Sequence, residues 1–197
     1  MKRIAALVLA AGRSLRMGAD NKLLMEIEGV PMVARVASAA LGSKAGRVVV
    51  VTGHEADAIQ AALADRDITF VHNPGYADGL ATSLATGLKA LADHMDGAVI
   101  CLGDMPRIGA TVIDSLIDAF DPAEGRAICL PSHRGRRGNP VLWARRYFAE
   151  MQSIEGDTGA RGLLRQYENA VHEVPWDDDS VLRDVDTLKD VARWSGP

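Results

Sequence analysis

Aromatic side chains make up only 5% of the 197 residues, and cysteine occurs twice, at Cys101 and Cys129. Trp143, Trp176 and Trp194 are scattered, so no stripe exists on which successive bases could stack, and packing accounts for them. Neither cysteine has a second one two to four positions away, which removes the zinc knuckle and the disulfide scaffold; buried free thiols in a reducing cytoplasm are expected. No apolar run approaches the roughly 18 residues of a membrane span. Positive charge is not in excess either. The 22 Lys and Arg against 26 Asp and Glu leave a net charge of −4, with no footprint for duplex nucleic acid. Internal repeats, low-complexity tracts and long linkers are all missing.

What is present is 48% hydrophobic and 24% charged residues, the balance of a globular chain, and a single domain over 1–197 is expected. The basic start Met1-Lys2-Arg3 is that of a secretory leader, but the apolar run Ile4 to Ala11 ends in Gly12-Arg13-Ser14, which reads as a strand entering a glycine loop. Short β-rich runs then alternate with helical patterns. Strands are expected at Ile4 to Leu9, Val48 to Val51, Thr69 to Val71, Ala98 to Leu102 and Ile128 to Leu130. Helices are expected at Met32 to Leu41, with Pro31 in the first turn, and at Asp57 to Leu63, Thr82 to Leu91 and Ala110 to Phe120. That order predicts an α/β fold, a three-layer α/β/α arrangement around a mostly parallel, doubly wound sheet. Beyond Pro131 the pattern loosens: a mobile polar loop over Ser132 to Asn139, a strand Pro140 to Trp143, helices Arg145 to Met151 and Ala160 to Tyr167, a strand Val171 to Val174, and a last helix capped by Thr187.

Several segments carry chemistry. Leu9-Ala10-Ala11-Gly12 leads into Arg13-Ser14-Leu15-Arg16-Met17-Gly18 and then Lys22. A glycine loop leaving a strand, with three cations close by, suits phosphate oxygens, and a solvated surface turn is the plain alternative. It is neither the dinucleotide fingerprint nor a Walker A loop. Asp104 follows a strand's carboxyl end, where a carboxylate can hold Mg²⁺ on phosphates or simply cap a turn before Pro106. Thr82 and Ser83 at a helix start suit nucleotide oxygens or capping, and Gly53 and His54 lie at the rim of a strand end. Arg134, Arg136, Arg137 and Arg161 suit an anion, or plain exposure.

Together, Leu-Ala-Ala-Gly-x-Ser-x-Arg-Met-Gly with Lys22, Asn73-Pro74, Gly79 to Leu88, Gly-Asp-Met-Pro at 103–106, Gly135 to Pro140, Gly156 to Arg161 and Asp184-Val185-Asp186-Thr187 resemble the molybdenum-cofactor nucleotidyltransferases, over roughly residues 4 to 194. Ala11 is similar to the CTP-using cytidylyltransferase branch, whereas the guanylyl branch carries glycine there. Asn139 stands where that family usually has histidine. The resemblance implies a nucleotide-diphospho-sugar transferase-like (Rossmann-like) fold, with a nucleotide-binding half at about 1–108 and an acceptor-binding half at about 109–197. It implies transfer of CMP from CTP to the terminal phosphate of molybdopterin, releasing pyrophosphate. By resemblance Leu9, Ala10, Ala11, Gly12, Arg16, Lys22, Gly53, Asn73, Gly79, Ser83 and Asp104 hold the nucleotide. Arg16, Lys22 and Asp104 carry catalysis, and Asp104 with Asp186 hold Mg²⁺ or Mn²⁺. Arg136, Asn139, Asp157 and Arg161 face the acceptor. The bland reading of Asp186 is a carboxylate at a helix start. Implied partners are CTP, the molybdenum cofactor and a molybdoenzyme or its insertion chaperone, in the cytoplasm, with no nucleic acid and no membrane. The alternatives are a relative using GTP or a sugar or alcohol phosphate, and a nucleotide-binding accessory protein without catalysis.

Overall fold

The computed structural model describes residues 2–13, 21–154, 156, 160–185 and 190. Along the chain run β1 (Ile4–Ala10), β2 (Glu26–Ile27), β3 (Val30–Pro31), α1 (Met32–Leu41), β4 (Arg47–Thr52), α2 (Ala56–Ala62), β5 (Thr69–His72), α3 (Leu80–Lys89) and β6 (Gly97–Leu102). The second part holds α4 (Ala110–Ala119), β7 (Ile128–His133), β8 (Arg136–Arg137), β9 (Val141–Ala144), α5 (Phe148–Met151), α6 (Arg161–Gln166) and β10 (Val171–Pro175).

Every residue of β1 is buried, as a strand covered on both faces must be. It lies mid-sheet, with Leu7 opposite Val49 of β4 on one side and Ile100 of β6 on the other, both in parallel. The sheet order is β5-β4-β1-β6-β9-β7-β10, with β8 attached to β7. Helix α1 packs beside α4 on one face, and α3 packs beside α5 on the other. The alternation of short β-branched runs with amphipathic helices therefore produces the expected three layers, because strands buried on both faces need a helix above and below. One strand, β9, runs antiparallel to both neighbours and sits between β6 and β7.

Three details differ from the sequence reading. The stretch Ser132 to Asn139 is a β-hairpin rather than a mobile loop: β7 extends to His133 and pairs with β8, with Ser132 opposite Arg137. Its two turn residues, Arg134 and Gly135, both take positive φ (50° and 74°), which matches the twist of a tight hairpin. Pro31 stands one residue outside α1, in extended geometry at its N-cap. The small hairpin β2–β3, turning at Glu28 and Gly29 with the same positive φ, went unassigned. The helix expected after Thr187 lies outside the described residues.

Cys101 and Cys129 are both free and buried. Burial pushes the Cys101 thiol up to about 12 and the Cys129 thiol to about 11, so neither is a thiolate at neutral pH. In the native protein at pH 8, neither thiol is expected to react with an aromatic disulfide reagent within minutes, and both should react once urea unfolds the chain. Fast labelling of the native protein would contradict the core placement.

Candidate active site

The carboxyl ends of β1, β4 and β6 share one edge of the sheet. From β1 the chain steps outward to β4 and β5, then returns to the other side of β1 as β6. Such a reversal parts the departing loops and opens a crevice where α/β sheets take ligands. Leu9, Ala10 and Ala11 are buried beneath it, so they offer a ligand backbone rather than side chain. The Ala11 carbonyl accepts from the His54 amide at 3.2 Å. A Cβ on Gly53 would stand 2.8 Å from Ala11 Cβ and 2.5 Å from Tyr76 Cβ, so the loops after β1, β4 and β5 meet there only because residue 53 has no side chain. Among the described residues, nothing lies within 4 Å of the Cβ position at Gly12. Arg16 lies outside the described residues.

Lys22 and Asp104 meet across 82 positions of sequence, with Lys22 Nζ donating to Asp104 Oδ2 at 2.8 Å. The side chains are 15% and 22% exposed, which keeps both charges in the crevice and largely out of solvent. Local structure explains the placement. Asn21 Oδ1 accepts from the Leu23 amide at 3.1 Å and starts a 3-10 turn, and buried Leu23 anchors that turn to the core. Lys22 Nζ also donates to the Val185 carbonyl at 3.0 Å, and the Val185 amide donates to the Asp104 carbonyl at 2.9 Å. Asp186, the expected second metal ligand, follows Val185 but lies outside the described residues.

Asn73 is buried and acts as a hub. Its Nδ2 donates to Thr82 Oγ1 at 2.9 Å and to Ser83 Oγ at 3.0 Å, while its Oδ1 accepts from the Gly75 amide at 3.0 Å. Asn73 and buried Ser83 thus bond to each other and shape the loop that enters α3 just past Gly79. The Ala81 amide donates to the Gly156 carbonyl at 3.2 Å, so the start of α3 touches the segment expected to face the acceptor. Asn21 and Thr52 were not singled out by sequence. Both are buried, and Asn21 Nδ2 and Thr52 Oγ1 have no hydrogen-bond partner among the described residues. Buried donors of this kind call for a ligand oxygen or ordered water.

On the acceptor side, β7 is parallel to β10 and carries its hairpin to the same edge. Arg136 is exposed on that hairpin, Asn139 is half-buried, and Arg161 is exposed at the start of α6. Asp157 lies outside the described residues. Arg137 is committed elsewhere: its fork grips the Glu168 carboxylate through two nitrogens, and its Nε donates to Glu173 Oε1 at 2.8 Å. That leaves Arg134, Arg136 and Arg161 of the expected anion set.

For a divalent cation the donor set is Asp104, whose Oδ2 is shared with Lys22; among the described residues no group of three or more His, Cys, Asp or Glu surrounds it. One carboxylate suits Mg²⁺ bound mainly through substrate phosphates, and it does not suit an all-protein cage.

A sheet-edge crevice bearing Gly12, a lysine and a strand-end aspartate suits a nucleotidyltransferase. Residues 6–171 match the MobA-like NTP transferase domain, and the chain belongs to that family. It is 29% identical over 195 residues to the nicotine blue oxidoreductase of Paenarthrobacter nicotinovorans, covering 96% of this chain and 95% of that one. It is 27% identical over 191 residues to the molybdenum cofactor cytidylyltransferase of Escherichia coli K12, covering 96% and 94%. Among solved structures, Rv0371c of Mycobacterium tuberculosis H37Rv superposes with a TM-score of 0.86 at 27% identity over 98% of both chains. A second structure of that protein is a complex with manganese, with a TM-score of 0.80 at 26% identity over 98% of both chains.

The Arg137 fork holds the Glu168 carboxyl below its ordinary 4.5. A carboxylate with a depressed folded pKa adds stability that is complete above the unfolded value and is lost as pH falls through the folded one. The urea midpoint of wild type should therefore exceed that of Arg137→Met at pH 7, with the difference shrinking as pH falls below 4.5 and through the lowered Glu168 pKa. A pH-independent difference would contradict this origin.

Proposed function

We propose that the chain transfers CMP from CTP to the terminal phosphate of a molybdopterin-type cofactor and releases pyrophosphate. The observation that carries the reading is the Lys22–Asp104 pair at the point where the sheet order reverses. Ala11 supports CTP through its resemblance to the cytidylyl branch, since the guanylyl branch carries glycine at that position. The 27% identity to a molybdenum cofactor cytidylyltransferase supports the acceptor.

In this reading the backbone after Ala11 and the Gly12 opening receive the triphosphate, with Arg16 and Lys22 neutralising its charge. Asp104 would hold Mg²⁺, with Mn²⁺ as a substitute and Asp186 as a second ligand, and the ion supplies charge neutralisation on the phosphate oxygens. The acceptor phosphate is already anionic, so an oxygen of it attacks the α-phosphorus without a side-chain base. The bond from the α-phosphorus to the bridging oxygen breaks, and pyrophosphate departs. Alignment and charge stabilisation provide the acceleration. Arg136, Asn139, Asp157 and Arg161 orient the acceptor, and Gly79, Asn73 and Ser83 shape the nucleotide's side of the crevice. The halves 1–108 and 109–197 then supply donor and acceptor. Among the described residues no helix is long and apolar enough to cross a membrane; a cytoplasmic setting, with delivery to a molybdoenzyme or its chaperone, completes the proposal.

The test is pyrophosphate release from CTP, GTP, ATP or UTP with Mg²⁺ and molybdenum-loaded pterin cofactor. Acceptor-dependent release with CTP alone is expected. Asp104→Ala should lower it by about a hundredfold or more while the circular dichroism spectrum is kept. Preference for GTP, or oxidation or reduction of nicotine blue without pyrophosphate release, would overturn the reading. Full activity of Asp104→Ala would remove Asp104 from the site.

A further inference from the structure

The stretch from Val181 to Val185 touches both halves of the crevice. Val181 and Val185 are fully buried, so the segment is fastened to the core at each end. At the first end, the Val181 carbonyl accepts from the Asn139 amide at 2.9 Å, immediately past the β7–β8 hairpin. At the second, Val185 accepts from Lys22 Nζ and donates its amide to the Asp104 carbonyl. The turn that leads into the segment is braced. Asp178 Oδ1 accepts from the Ser180 amide at 2.8 Å, and Arg183 Nε donates to Asp179 Oδ2 at 2.6 Å.

The first contact depends on one residue without a side chain. A Cβ on Gly138 would lie inside van der Waals contact of the Val181 carbonyl oxygen and 2.9 Å from its carbonyl carbon. Both obstructing atoms are backbone, so no side-chain rotation relieves the clash. Gly138 is held in turn, its amide donating to the Pro131 carbonyl at 2.8 Å. A side chain there must push the strap off the hairpin. Close-packed interiors transmit such a shift rather than absorb it.

We propose that residues 181–185 are a positioning strap that sets Asp104 and Lys22 by the location of the acceptor hairpin, with Gly138 as the residue that lets the two lock together. The strap makes no contact with the reacting atoms; it acts through the backbone of Asp104 and the ammonium of Lys22. The arrangement gives the acceptor side a mechanical route to the metal and phosphate corner. The inference rests on the reading of Asp104 as the metal carboxylate.

The test compares full-length wild type, Gly138→Ala and Gly46→Ala. Gly46 lies before β4 at the opposite edge of the sheet, where, among the described residues, an added Cβ meets only the Ile4 carbonyl at 3.9 Å. Water-proton relaxation enhancement by Mn²⁺–CTP measures the ion bound at the site, and steady-state assays separate kcat from KM. A displacement near 1 Å at a reacting centre costs on the order of a hundredfold, so kcat of Gly138→Ala should fall by about ten- to a hundredfold. Its enhancement should weaken, and KM for CTP should change less than about threefold, while Gly46→Ala matches wild type. Unchanged kcat and enhancement in a folded Gly138→Ala would overturn the strap. Amide hydrogen exchange of wild type covers the case in which that variant does not fold. The Asn139 and Val185 amides should open together, with protection within about threefold of each other, and a difference beyond about tenfold would overturn the proposal. Loss of enhancement in wild type itself would count against the metal reading, and the exchange data would then judge the strap alone.

Discussion

The ion pair between Lys22 and Asp104 is the contact on which the site depends. Its 2.8 Å length and low exposure put two opposite charges in a crevice where water screens them poorly. Deleting one partner of a fully buried pair costs about 3–5 kcal/mol, because the survivor is left uncompensated; partial exposure reduces that here. The pair also joins distant parts of the chain. Lys22 comes from the loop after β1, Asp104 from the end of β6, and the Val185 backbone closes the triangle on both. A triphosphate with its cation would meet a ready arrangement of one positive and one negative group, at the place where the sheet itself parts.

Everything around that pair holds the edge in shape. The absent side chain at Gly53 lets the loops after β1, β4 and β5 touch, and Asn73 spends its amide on Thr82, Ser83 and Gly75. Their contribution is rigidity in the crevice wall, which matters for a reaction whose chemistry is alignment and charge. On the other wall, Arg137 anchors the β7–β8 hairpin to Glu168 and Glu173, leaving Arg136 exposed at the same edge.

The local pattern was legible where local physics decides. Val48 to Val51 and Ile4 to Leu9 read as buried strands because burial on both faces demands unbroken apolar runs; the position of Asp104 just past such a run left a turn cap and a metal ligand both open, and only the resemblance of Gly-Asp-Met-Pro pointed to the metal. Boundaries moved by up to three residues, as at β7, which runs on to His133. The antiparallel insertion of β9 was not legible, since four residues of strand carry no mark of direction. Nor was the Lys22–Val185 contact, which spans 163 positions. The hairpin at Arg134 and Gly135 left a signal in its glycine, but the crowding of charge around it reads as a loop until Glu168 and Glu173 are seen to receive Arg137. Asn21 and Thr52 were invisible for a similar reason: an amide nitrogen and a hydroxyl stand out only when burial leaves them without a partner among the described residues.

The central claim is that a divalent cation and a nucleotide's phosphates meet at Asp104 and Lys22. Crystals grown with Mn²⁺ and CTP would test it most directly, through the anomalous signal of manganese. The expected map has a peak on the Asp104 carboxylate, with triphosphate oxygens completing its shell and Lys22 Nζ on the same phosphates. Manganese and nucleotide ordered elsewhere on the chain, with Asp104 and Lys22 still paired to each other, would contradict the account.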